Sequence, residues 1–180
     1  LDRLSLLHVP TFKRFSARPR QRAFSEKMIV IGDPVYAAQA PTDDERHVTS
    51  TRARQLLRGD LVQGERWPPL PAAALEVRGL TKAFELKAGT SVFARQDATV
   101  STLRRVNASG VLERTRFLVL VAHGMADLEE PELSSLVFSR PPGANARDAY
   151  FTAAELSTLR LGTGLVYFSA CDTGYGQVLA

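Results

Sequence analysis

The sequence predicts an α/β fold: a mostly parallel sheet with helices on both faces. Two observations carry this. Short apolar runs, Phe117-Leu118-Val119-Leu120-Val121 foremost, are continuous rather than alternating, as strands buried on both faces should be. Segments with helical spacing or helix-capping signals separate these runs. Strands that alternate with helices favour parallel pairing, because parallel neighbours need a crossover.

The first strand is Met28-Ile29-Val30-Ile31, closed by the turn sequence Gly32-Asp33-Pro34. Residues 37–70 are polar and end in Trp67-Pro68-Pro69-Leu70-Pro71. A loop of that length is unusual in a compact domain, and a short helix inside it is one accommodation. Ala72 to Leu86 has helical spacing, with Leu75, Leu80, Ala83 and Phe84 as its apolar stripe. Thr90 to Ala94 is a β-rich second strand. Thr99 then N-caps a helix running to about Asn107, with Leu103 and Val106 turned inward. The third strand is 117–121, and residues 140–149, with Pro141, Pro142, Gly143 and Asn145, form a loop. Thr152-Ala153-Ala154-Glu155 fits a capping box, with Leu156 and Leu159 behind it. Leu165-Val166-Tyr167-Phe168 follows Gly162 and Gly164 as the fourth strand.

A chain of 180 residues with 44% apolar content builds one domain with a real core. The net charge of +4 is local: residues 1–27 hold seven basic side chains against Asp2 and Glu26. No aromatic stacking motif accompanies this basic excess, so it reads as a solvated lead-in segment, and nucleic acid is disfavoured as a partner. The domain proper is expected at 28–180. No apolar run approaches the roughly 18 residues that cross a bilayer, and Leu1 to Pro10 lacks the layout of a signal peptide. The chain has no initiator Met and reads as a fragment or a processed piece. One cysteine, Cys171, allows neither an internal disulfide nor a cysteine-cluster zinc site. The expectation is a cytoplasmic protein with no cofactor and no metal.

Two residues carry chemistry. His123 directly follows the third strand, and Cys171 lies just past the fourth. Loops at the carboxyl ends of strands form the ligand crevice of a doubly wound sheet, so neighbouring strands would bring the two together there. A thiol is only slightly ionised at neutral pH; an imidazole beside it takes its proton or stabilises the thiolate and yields a strong nucleophile. The backbone N–H groups of Gly124 and Cys171 are the candidate oxyanion donors. The competing explanation is a buried structural cysteine and a loop-capping histidine. The 48-residue separation favours catalysis, since caspases place their histidine about 50 residues before the cysteine. Asp43, Asp44, Glu45 and His47 form a solvated acidic loop more readily than a metal site, and Glu155 and Asp172 are cheaper as capping or surface residues than as partners of His123. No G-x-S-x-G elbow and no phosphate-cradling glycine pattern occurs.

Leu120-Val121-Ala122-His123-Gly124 resembles the histidine motif of CHAT domains, and Phe168-Ser169-Ala170-Cys171-Asp172-Thr173-Gly174 resembles their cysteine motif. The segment Pro131 to Ser139 resembles that family's strand-forming segment after the histidine, and the short helix entered at Phe151-Thr152, Ile31-Gly32-Asp33-Pro34, Pro68-Pro69-Leu70-Pro71-Ala72 and the lead-in Leu7-His8-Val9-Pro10-Thr11 are similar to its corresponding segments. The resemblance spans nearly the whole chain. It implies a caspase-like three-layer sandwich whose C-terminal strands are missing here, since such domains continue past the cysteine motif. It implies a cysteine peptidase with His123 as general base or acid and Cys171 as nucleophile, acting on a protein or peptide substrate. Implied partners are the downstream C-terminal half of the domain or a partner chain, and a tetratricopeptide-repeat sensor, in bacterial defence or signalling. Metacaspases, other relatives, carry an Asp two residues before the cysteine that helps hold a basic side chain; Ser169 stands there, so that preference does not carry over. The alternative from another class is a non-catalytic interaction module that keeps the fold to dock a sensor or partner.

Overall fold

The computed structural model describes residues 26–36, 54–58, 67–83, 90–162 and 164–170. Its main sheet has four parallel strands: β1 (Glu26–Pro34), β2 (Thr90–Arg95), β3 (Thr115–Val121) and β7 (Leu165–Ser169), in the order β2-β1-β3-β7. The chain builds outward from β1 on one side, then returns to build outward on the other. The order therefore reverses between β1 and β3, where an open α/β sheet has its crevice.

Alternation along the strands explains why the apolar runs are unbroken. Ile29 and Ile31 of β1, with Leu118 and Leu120 of β3, face α2 (Val100–Ala108) and pack with Val100, Leu103 and Val106. Met28 and Val30, with Val119 and Val121, face the opposite helix, α1 (Pro71–Ala83), and pack with Ala73 and Val77. Both faces are covered, so the central positions of β1 and β3 need apolar side chains. The sheet and its two helix layers are the α/β sandwich that the sequence predicts. Thr99 caps α2 as expected, its Oγ1 accepting from Thr102 N–H at 3.0 Å. The capping box at Thr152 and Glu155 opens the short α3 (Ala153–Leu156).

Of the expected α1 stripe, Leu80 packs against the cluster that holds Ala73 and Val77, and the rest of the inward face differs. Leu75 is 66% exposed and Ala83 is exposed, while Ala73 and Val77 are buried; Phe84 lies outside the described residues. The reason is a close approach. A Cβ on Gly32 would lie 2.8 Å from Val121 Cβ and 3.0 Å from Val77 Cγ2, so α1 sits tight against the end of β1. Small side chains on the inward face permit that approach, and apolar size alone misidentified it.

A second sheet is present, and its middle strand lies in the segment Pro131 to Ser139 that the resemblance marks as strand-forming. Strands β4 (His123–Met125), β5 (Ser135–Val137) and β6 (Tyr150–Thr152) pair antiparallel in that order. Residues 54–58, within the long stretch taken as loop, are helical. Leu56 and Leu57 form a separate cluster with Met125, Val137, Ala146, Ala149 and Tyr150 of this smaller layer. Arg54 holds it electrostatically: its Nε and Nη2 reach the fully buried Asp127 carboxylate at 2.6 and 2.8 Å, just after β4.

The tight packing at Gly32 yields a measurable cost. Gly32→Ala forces a methyl into Val121 and Val77, and overpacking of this kind destabilises by about 1–3 kcal/mol. Denaturant unfolding of the variant should show that loss with an unchanged slope; a midpoint equal to wild type would mean α1 does not press on β1 there.

Candidate active site

His123 sits at a corner of the backbone. Ala122 N–H still bonds to Ser169 O of β7 at 3.1 Å, across the main sheet. One residue later His123 opens β4 and faces Val137 in the smaller sheet. The histidine is thus fixed where the chain passes from one sheet to the other, at the carboxyl edge beside the switch point. It is only 8% exposed.

Three residues absent from the sequence-level site hold it. Tyr36, just past β1, has its hydroxyl between two backbone groups: it accepts from His123 N–H at 3.0 Å and donates to Val137 O at 2.6 Å. Its ring lies 4.7 Å from the imidazole, and burial pushes its phenol up, so it remains a donor. Trp67 covers the imidazole at 5.0 Å between centroids, and its Nε1 donates to Tyr150 Oη at 3.1 Å. The Pro68 carbonyl lies 2.7 Å from His123 Nε2. A carbonyl only accepts, so Nε2 carries the proton, and in the neutral ring Nδ1 is the basic nitrogen. Pro69 explains why this carbonyl is available: the residue before a proline is held extended, outside the helix that begins at Pro71. The Trp-Pro-Pro sequence was visible as punctuation, but nothing in it announced a histidine partner.

Burial lowers the His123 pKa below its ordinary 6.5, outweighing the Pro68 hydrogen bond, which acts in the other direction. The imidazole is therefore neutral at neutral pH, as a general base requires.

Strands β3 and β7 are neighbours, with Val121 paired to Ser169. Cys171 follows Ser169 by two residues and lies outside the described residues, as do Asp172 and the acidic cluster Asp43, Asp44, Glu45 and His47. Gly124 is in β4, opposite Leu136. Glu155 caps α3 and pairs with Arg104. The end of β7 is gripped from α1: Ser169 Oγ donates to Glu76 Oε2 at 2.7 Å, and Tyr167 Oη donates to Glu76 Oε1 at 3.1 Å. The sequence showed no carboxylate at position 169; the structure sets one against that position from a distant helix. Among the described residues no group of three or more His, Cys, Asp or Glu side chains is arranged to hold a metal, and no helix is long and apolar enough to cross a membrane.

The CHAT domain family model matches residues 1–180. The chain belongs to the CHAT domain family. That family is cysteine peptidase-like and of the caspase clan, which accords with a parallel sheet carrying a histidine at its carboxyl edge. No curated protein and no solved structure matches the chain.

The lowered His123 pKa makes stability depend on pH with a definite sign. Between the folded pKa and 6.5 the unfolded chain binds more protons, so stability rises with pH through that window and levels off above it. Denaturation midpoints measured from about pH 5 to 8 should therefore fall on the acid side more steeply for wild type than for His123→Gln. Parallel profiles for the two proteins would mean that His123 is not held neutral by burial.

Proposed function

We propose that this CHAT domain is a cysteine endopeptidase that cleaves a protein substrate through a Cys171 acyl-enzyme assisted by His123. The observation that carries the reading is the His123–Pro68 hydrogen bond of 2.7 Å, which leaves a neutral ring with a basic Nδ1 at the edge where β7 leads toward Cys171.

In the proposed reaction His123 takes the thiol proton, and the thiolate attacks the scissile carbonyl. The N–H groups of Gly124 and Cys171 receive the tetrahedral oxyanion. Collapse expels the amine, which takes the proton back from His123, and leaves a thioester. Water, deprotonated by the same imidazole, hydrolyses that thioester and restores the thiol. Glycine at position 124 lets a substrate backbone come close.

Partners follow from the edge of the sheet. Among the described residues β7 pairs with β3 alone, and its Leu165 to Phe168 are half-buried apolar side chains. An apolar edge of this kind calls for a cover. In this reading the cover is the downstream half of the domain or a partner chain, which also completes the substrate pocket. Control by an attached tetratricopeptide-repeat sensor, a cytoplasmic setting and a role in bacterial defence or signalling belong to the same proposal.

Cys171→Ala should lower turnover on a cleavable peptide library by at least about a thousandfold, and His123→Ala by nearly as much, because members of one catalytic unit fail together. Retained turnover in Cys171→Ala would end the peptidase reading and favour the docking-module alternative.

A further inference from the structure

The segment that orients the base also grips the strand that leads to the nucleophile. Trp67 and Pro68 hold the His123 ring, and the same stretch continues into α1, where Glu76 takes hydrogen bonds from Tyr167 and Ser169 on β7. Glu76 lies nine positions after Trp67, and the chain is helical from Pro71 onward. A short helical strut has almost no freedom to change length. The two grips are therefore coupled through one short segment, although they fall on strands of different sheets.

We infer that Glu76 is a positioning residue: through Ser169 and Tyr167 it fixes the end of β7 relative to the Pro68-bound imidazole, and so sets the spacing at which Cys171 meets His123. The inference rests on the peptidase reading above.

The chemistry of the three side chains fits this role. Both donors are hydroxyls on alternate residues of one strand, so they project from the same face, toward α1. Each takes one oxygen of a single carboxylate, which holds the strand against rotation as well as translation. The α1 residues that pack the rest of that face, Ala73 and Val77, are apolar and supply contact without direction. Burial and the adjacent carboxylate push the Tyr167 phenol up, so the donor stays protonated across the working range. Glu76 has no place in the proton transfers, and its effect must pass through β7.

The full chain has one cysteine, so alkylation reads Cys171 without a known substrate. The test is the iodoacetamide rate as a function of pH for wild type, His123→Ala, Glu76→Ala, Ser169→Ala and the Glu76→Ala/Ser169→Ala double variant. Ser169→Ala removes one hydroxyl and no charge, so it separates positioning from electrostatics and leaves the fold least disturbed. Thermal unfolding of each variant reports the fold. A thiol aligned with the neutral imidazole gives up its proton to it as it attacks the reagent, and loss of alignment removes that assistance. Glu76→Ala and Ser169→Ala should each slow alkylation at neutral pH by about tenfold, toward the rate of His123→Ala. The double variant should be no slower than Glu76→Ala, since both remove the same link. Leu75→Ala, on the exposed face of α1, should leave the profile unchanged.

If the Glu76 and Ser169 variants retain the wild-type profile while His123→Ala displaces it, the positioning role is overturned and the peptidase reading stands. If His123→Ala also leaves the profile in place, both fall together.

Discussion

A neutral imidazole has one donor nitrogen and one acceptor nitrogen, and the Pro68 carbonyl decides which is which for His123. Everything around the histidine serves that bond. Trp67 lies against the ring, Tyr36 fixes its backbone, and burial keeps the ring uncharged, so the 2.7 Å contact holds one tautomer in one orientation. Among the described residues no charged side chain bonds to the ring. An acidic residue bonded to Nε2 would raise the pKa and favour imidazolium, whereas a backbone carbonyl orients the ring with a smaller opposing effect.

The fold makes that bond possible by placing three unrelated segments at one sheet edge. β1 delivers Tyr36, β3 delivers His123, and the entry to α1 delivers Trp67 and Pro68. Each arrives where the strand order reverses, because there the two halves of the sheet diverge and the side chains have room to meet. The smaller sheet and residues 54–58 back the histidine from the other side. The Arg54–Asp127 pair holds the loop that leaves β4, and the satellite core beneath it includes Met125 of the same strand. Buried ion pairs contribute little net stability, so the value of this one is in fixing where the loop runs.

The parallel sheet, its covered faces and the N-caps at Thr99 and Thr152 were legible, because continuous apolar runs and capping patterns are local signals. The histidine was legible by its place after the third strand and by its resemblance to a known motif. What escaped was non-local. In α1 Leu80 packs inward as expected, but apolar size pointed to Leu75, while the close approach at Gly32 selects Ala73 and Val77. Strands β4 and β6 are three residues each, too short for a period to register, and β5 is legible only through the resemblance of Pro131 to Ser139 to a strand-forming segment. Pro68 acts through a carbonyl that every residue possesses, so its identity gives no signal. Glu76 reads as a solvent-facing helix glutamate until β7 is laid beside it.

The position of one proton decides what His123 can do, and nitrogen-15 NMR of His123 in the full chain measures it. At neutral pH the ring should be neutral, with the chemical shift of a protonated Nε2 and an unprotonated Nδ1, and it should charge at a lower pH than an ordinary histidine. A ring protonated on Nδ1 alone, or an imidazolium at neutral pH, would contradict the account, because Pro68 would then not be its partner and Nδ1 would not be free to act as the base.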